Sequence, residues 1–196
     1  SARRSFLDVF TDDIGVGGPG VEKIAGAAGF DWQIGVGDPQ AQDTDLAQVF
    51  VAGGVILPGV RDKFNEVEAL SGGNLNDTLR GDDIVPTDVG GGGFVGCDAL
   101  DAAGVARING LNQLVTPGML TIPAATLIAN TSTHQCLLEG NVWGAGNILL
   151  GGAGSDLIEG RGADDIIDGD RYVNVRLSVR TNPADPATQI GSTDLM

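Results

Sequence analysis

The chain has 196 residues, 32 of them glycine, with six phenylalanines, two tryptophans and one tyrosine. Glycine stands at roughly twice its usual share with no three-residue period, which excludes collagen, and a core this poor in rings must use Ile, Leu and Val, as thin stacked layers do. With 26 acidic and 11 basic residues the net charge is -15, an excess that repels nucleic acid and anionic membrane, and no apolar run is long enough to span a bilayer.

Residues 1–10 carry Arg3 and Arg4 with no apolar stretch behind them, so no signal peptide opens the chain. From residue 8 a nine-residue period sets in. Residues 8–16 place Asp13 at position six and Gly15 at position eight. GGPGVEKIA (17–25) places Glu22 and Ile24 there, and GAAGFDWQI (26–34) places Asp31 and Gln33. An excursion over about 36–62 follows. It contains Asp38-Pro39, a turn starter, and an alternating stretch ending in Val49, Phe50 and Val51, read as a loop plus a strand.

The period resumes at 63–71 with Glu68 and Leu70, continues in GGNLNDTLR (72–80) with Asp77 and Leu79, and breaks off after Gly81-Asp82-Asp83 at Pro86. The second excursion, about 84–141, opens with the flexible run Gly90 to Gly93, which lacks the Lys-Ser/Thr of a phosphate loop. Asp101 can cap a helix over 102–115 whose stripe Val105, Ile108, Leu111 and Leu114 is spaced to pack on a sheet face. Cys97 and Cys136 are too few for a disulfide scaffold. They either join each other or stay two separate buried thiols, and spacing leaves both open. His134, the sole histidine, cannot by itself supply a haem pocket or a His-based triad and reads as a structural or surface residue.

The clearest units come last: VWGAGNILL (142–150), GGAGSDLIE (151–159) and GRGADDIID (160–168), with Asn147, Asp156 and Asp165 at six and Leu149, Ile158 and Ile167 at eight. GDRYVNVRL (169–177) puts Arg176 at the aliphatic place and reads as a capping turn. The polar segment 181–196, with Pro183, Asp185 and Pro186, reads as a tail or linker, and the chain as a piece of something longer. The three blocks 8–34, 63–83 and 142–177 are out of phase, as two insertions into one repeat would make them.

Glycines at positions one, two and four open backbone conformations closed to other residues and leave room for carbonyl oxygens to point inward. An Asp at six adds a short-stemmed negative charge. Carbonyls with a few carboxylates are the hard-oxygen set of calcium, and one His with two Cys offers no competing zinc set. Gly-Asp clusters are also ordinary turn chemistry, but ordinary turns do not hold phase. Positions seven to nine are extended, with the residue at eight facing inward, so each unit is a half-turn and units n and n+2 stack.

GGAGSDLIEGRGADDIIDGD resembles the RTX, or hemolysin-type, calcium-binding repeat, glycine-glycine-x-glycine-x-aspartate-x-aliphatic-x. The resemblance covers the three blocks, a little under half the chain. The run DGDRYVNVRLSVRTNPADP is similar to repeat segments of large secreted bacterial proteins that also carry a haem-peroxidase domain. The fold implied is all-β: a parallel β-roll over 1–180 interrupted by two insertions, the second holding a short α-helix. In the family, one calcium bridges two stacked loops through carbonyls of positions two and four of the earlier loop, one and three of the later, and both acids at six.

Carried over, one pair uses the carbonyls of Val9, Thr11, Gly26 and Ala28 with Asp13 and Asp31. A second uses those of Trp143, Ala145, Gly160 and Gly162 with Asn147 and Asp165. A third uses those of Gly152, Gly154, Gly169 and Arg171 with Asp156 and Asn174. Neutral Asn147 and Asn174 weaken their sites. Glu22 and Glu68 carry an extra methylene, and Asp77 needs a partner loop that the second excursion can displace. The resemblance implies several calcium ions, secretion, and a module unfolded where calcium is scarce and folded where it is plentiful, stabilising or spacing a larger parent. The residues hold no evident nucleophile-base pair or haem ligand set, so no catalysis is expected of this chain. The alternatives are a non-catalytic part of a peroxidase-type enzyme and a calcium-dependent adhesion or carbohydrate-binding module. Self-cleavage at Asp38-Pro39 or Asp185-Pro186, known in some RTX proteins, competes with plain turns.

Overall fold

A computed structural model describes residues 5–7, 12–49, 62–88, 97–123, 138, 140–175, 182 and 193–196. Eight of the described strands fall where positions seven to nine of the repeat put them. After β1 (Ser5–Leu7) come β2 (Ile14–Val16), β3 (Lys23–Ala25), β4 (Trp32–Ile34), β5 (Asp43–Asp45), β6 (Lys63–Asn65), β7 (Ala69–Ser71) and β8 (Thr78–Arg80). The second excursion holds α1 (Ala102–Arg107), a 3-10 turn at Leu111–Gln113, β9 (Ile122–Pro123) and β10 (Asn141–Val142). It is followed by β11 (Ile148–Leu150), β12 (Leu157–Glu159), β13 (Ile166–Asp168), β14 (Val173–Val175) and β15 (Thr193–Leu195). The chain is thus mostly β, as expected, with one short α-helix among the described residues. No described helix is long and apolar enough to cross a membrane.

The principal sheet has the order β13-β11-β7-β4-β2, all parallel, so it runs monotonically through the sequence. Two three-stranded parallel sheets, β1-β3-β6 and β12-β8-β5, stand opposite it, and Val49, four residues after β5, forms an isolated parallel bridge with Phe64 of β6. In a three-residue strand only the middle side chain faces one way. The middle residues Leu70 and Leu149 of the principal sheet meet Ile24, Phe64, Leu79 and Ile158 from the facing sheets in one core cluster. Gln33 and Gly15, which break the aliphatic rule at position eight, are stacked partners. The missing side chain of one makes room for the amide of the other, which is buried and within 3.3 Å of the Gly15 carbonyl oxygen.

The flanking residues of the same strands face the other way, and the second excursion covers them. Trp32, Ile34, Ile148 and Leu150 pack with Val105, Ile108, Leu111 and Val115. Burial on both faces explains why β11 is apolar at every position. The scarce rings gather here, with Phe30 centred 6.1 Å from both Trp32 and Trp143. The excursion closes on itself: Leu100 N donates to Trp143 O at 2.7 Å and Trp143 N to Leu100 O at 2.9 Å. Exit and re-entry lie side by side, so β7 still pairs with β11 and β8 with β12. Cys97 is buried and disulfide-bonded; Cys136, the chain's other cysteine, lies outside the described residues, as do His134 and Asp185-Pro186.

Several expectations are corrected. The helix is shorter than 102–115. Asp101 caps it, its Oδ1 accepting from Gly104 N at 2.7 Å, but Ile108 is extended and Gly110 has φ of 91°, so the apolar stripe continues on a turn. The first excursion supplies β5, earlier than the stretch at Val49, while residues 50–61 lie outside the described residues. Asp38 Oδ1 accepts from Gln40 N at 2.8 Å, so Asp38-Pro39 forms a local turn. Unit 63–71 opens with strand β6 in place of a glycine turn. At the far end β14 leaves the parallel stack and pairs antiparallel with β15, so residues 193–195, expected in a polar tail, fold back as a strand.

Since Leu149 is fully buried and Ile167 is 50% exposed, Leu149→Ala should lower the unfolding free energy by about 2–5 kcal/mol and Ile167→Ala by about 1 kcal/mol or less. Urea denaturation measures both, and equal losses would contradict this inward register.

Candidate metal centre

The turns between strands carry the acids, and four of them, Asp31, Asp77, Asp156 and Asp165, do two things. One oxygen takes a hydrogen bond from the backbone of the stacked turn. Asp31 Oδ1 accepts from Asp13 N at 2.7 Å, Glu68 Oε2 from Asp31 N at 2.8 Å, and Asp165 Oδ1 from Asn147 N at 2.8 Å. In other turns Asp77 Oδ1 accepts from Gln42 N at 2.7 Å, Asp156 Oδ1 from Asp77 N at 2.8 Å, and Asp62 Oδ1 from Glu22 N at 2.8 Å. Position six thus ties its own turn to the one stacked beside it, which meets the buried donor's need for a partner.

The second oxygen turns toward the glycine at position one. A methyl group on Gly151 would meet Asp156 Oδ2 at 2.6 Å and the Gly169 carbonyl oxygen at 2.5 Å. A methyl on Gly72 would collide with Asp77 Oδ2 and the Gly151 carbonyl, and one on Gly81 with Asn147 Oδ1 and the Gly160 carbonyl. Gly26 stands likewise against Asp31 Oδ2 and the Glu66 carbonyl, and Gly160 against Asp165 Oδ2. A carboxylate or amide oxygen and, at four of these five glycines, a carbonyl from another turn therefore crowd a point that only glycine leaves open. Asp77, whose partner loop was in question, has one: the turn of Gly151 and Asp156.

Not every expected ligand is brought in. Val9 and Thr11 lie outside the described residues. Ala28 is buried, and Asp13 enters through its amide. The Trp143 carbonyl accepts from Leu100 N, and that of Ala145 from Asp164 N at 2.9 Å, so both are used by the backbone. Glu22 Oε2 accepts from Gly18 N at 3.3 Å inside its own turn. Gly152 and Gly154, with φ of 93° and 135°, lie against the carbonyls of Gly73 and Leu75. Gly162 N donates to Asp83 Oδ1 at 2.9 Å, and Arg171 N to Asp168 Oδ1 at 3.1 Å. Asn174 sits mid-strand in β14 opposite Asp194 and does not stack on Asp156. Its unit departs because Val173 is drawn to the outer face of the principal sheet, where its amide donates to Ser71 Oγ at 2.9 Å.

Burial sets the electrostatics. Asp31 is pushed up to about 8, first by burial and then by Asp13, Asp12 and Asp98, against the pull of the Asp13 amide. Glu68 is raised well above its ordinary value by burial and then by Asp98 and Asp31. Asp77, Asp165, Asp62 and Asp82 are raised, burial again leading. Asp31 Oδ2 is buried with no hydrogen-bond partner, an expensive state for a charged oxygen. Asp62, Asp82 and Asp98 escape sequence reasoning because none sits at position six; only their negative charge was visible. Among the described residues no three His, Cys, Asp or Glu side chains gather as one metal-binding group; the recurring unit is one side-chain oxygen with one carbonyl.

The fold and its turns define an all-β protein of parallel, stacked short strands whose acid-bearing turns interlock. Comparison of the chain with models of known families, with curated proteins and with solved structures finds no match.

These shifts carry a sign. A carboxyl group whose folded value lies above its unfolded one costs stability above the folded value, and the cost is relieved as pH falls through it. At a fixed sub-saturating calcium level, the urea denaturation midpoint corrected for calcium occupancy should therefore gain a contribution that sets in near the Asp31 value of about 8 and grows as pH falls toward ~5. Asp31→Asn should flatten that part of the curve. A contribution of the opposite sign would contradict the burial of these groups.

Proposed function

We propose that the chain is a calcium-binding β-roll of the RTX type, a structural module of a secreted bacterial protein that folds on binding calcium and stabilises or spaces a larger parent. The observation that carries this reading is the recurrent meeting of a side-chain oxygen at position six with a carbonyl at a position-one glycine, as Asp156 Oδ2 and the Gly169 carbonyl meet at Gly151. Carbonyls mixed with carboxylates suit calcium better than the softer or more rigidly coordinated metals. The orphaned Asp31 Oδ2 and the raised carboxyl groups fit the same need, since buried negative charge without a counter-ion opposes folding.

A divalent ion in such a turn would offset the repulsion between stacked acids, and its binding free energy would become folding free energy. The glycines that make the turns also raise the entropy of the unfolded chain, so the metal-free chain would be largely disordered. We assign the chain a structural role, with any catalysis belonging to the parent.

Far-ultraviolet circular dichroism during calcium titration, with an EGTA control, should record conversion from coil to β. Asp156→Ala and Asp165→Ala should each raise the calcium midpoint by about tenfold. A chain that keeps its full β signal in excess EGTA sinks the reading.

A further inference from the structure

One turn already holds a positive charge of its own. Arg161 occupies position two of its unit, where the units 72–80 and 151–159 have Gly73 and Gly152 and the unit 142–150 has Trp143. Its φ is 74°, close to the 93° of Gly152, a conformation that L residues avoid. The guanidinium reaches into the stack: Nη1 lies 2.7 Å from Asp45 Oδ1 and 2.8 Å from the Gly81 carbonyl oxygen, and Nη2 lies 3.0 Å from Asp45 Oδ2. Asp45 is buried at the end of β5, and Gly81 is itself a position-one glycine. A carboxylate and a position-one carbonyl, the oxygen types that meet at Gly72 and Gly151, here meet at a guanidinium. Glu159 and Asp83 also lie within its field, and Glu159 is shared with Arg80 at 3.4 Å.

We propose that Arg161 is a resident cation: at this level the positive charge that draws the turns together belongs to the chain, and no metal ion is taken up there. Guanidinium suits the place because it stays charged, is weakly hydrated, and presents a planar fork that matches a carboxylate. The effect on Asp45 agrees with this. Burial would raise its carboxyl group, yet the hydrogen bonds and charge of Arg161 hold it below its ordinary value, opposite to Asp77 and Asp165 in the neighbouring turns. The remaining turns would depend on calcium, while this one needs no ion of its own once the stack has formed.

The inference rests on the calcium reading, and native mass spectrometry of the whole chain separates the two. Wild type, D156N, D45N, R161Q and R161K are compared at saturating calcium, and calcium midpoints are read by circular dichroism. D156N should lose one bound ion. D45N should keep the wild-type count, and R161Q should raise the midpoint by about tenfold, with R161K recovering only part because it lacks the fork. A D45N protein that loses an ion, or an R161Q protein with the wild-type midpoint, overturns the inference while leaving the calcium reading intact. Wild type that binds no ion removes both.

If the variants do not fold, amide exchange of wild type at sub-saturating calcium still decides. The Gly81 amide, bonded to Glu159 O at 2.9 Å, should exchange about tenfold more slowly than the Gly72 amide, bonded to Leu150 O at 2.8 Å. Equal or faster exchange at Gly81 overturns the inference.

Discussion

Carboxylates stacked in successive turns must be kept from repelling one another, and the rest of the structure depends on how this is done. Asp31, Glu68, Asp77, Asp156 and Asp165 each spend one oxygen on the amide of the stacked turn, which places the next acid within reach of the last. The hydrogen bonds that align the turns therefore concentrate negative charge along the same line. Asp31 and Glu68 show the result: they are joined through an amide at 2.8 Å, both are raised, and Asp31 contributes to the shift of Glu68. A parallel stack with this sequence needs positive charge, whether proton, arginine or the proposed calcium.

The strands cannot supply the missing stability alone. Three residues bury one side chain inward, and the inner cluster is correspondingly thin. The second excursion compensates by covering the outer face of the principal sheet with α1, its following turn and Trp143, so that β4, β7 and β11 are buried on both sides. Because its exit and re-entry are tied together, Thr87 N donating to the Gly144 carbonyl oxygen at 3.1 Å, the excursion adds this layer without shifting the register beneath it. β14 and β15 extend the cover through Val173 and Leu195. The resulting edge at β13 leaves Ile167 half exposed.

Within this arrangement Arg161 and the acids of the neighbouring turns answer one electrostatic problem in two ways. A guanidinium is carried at all times and does not respond to its surroundings. A bound ion comes and goes with its concentration. If the proposed calcium fills the turns of Asp77 and Asp156, the chain combines one permanent tie with several conditional ones, which suits a module that must fold only after it reaches calcium-rich surroundings.

Much of this was legible in the nine-residue period. The positions of β2, β3, β4, β7, β8, β11, β12 and β13 follow from it, as do the inward Leu70, Leu79 and Leu149, because these depend on local alternation and on glycine's conformational range. The cap at Asp101 and the apolar stripe behind it are local too. Other features depend on partners distant in sequence. That Gly15 makes room for Gln33, that Asp77 meets the turn of Asp156 across the whole second excursion, that Arg161 finds Asp45, and that unit 169–177 leaves the stack for Ser71 could be decided only by the tertiary structure. Local spacing specifies which way a residue points, but not which distant turn will be folded against it.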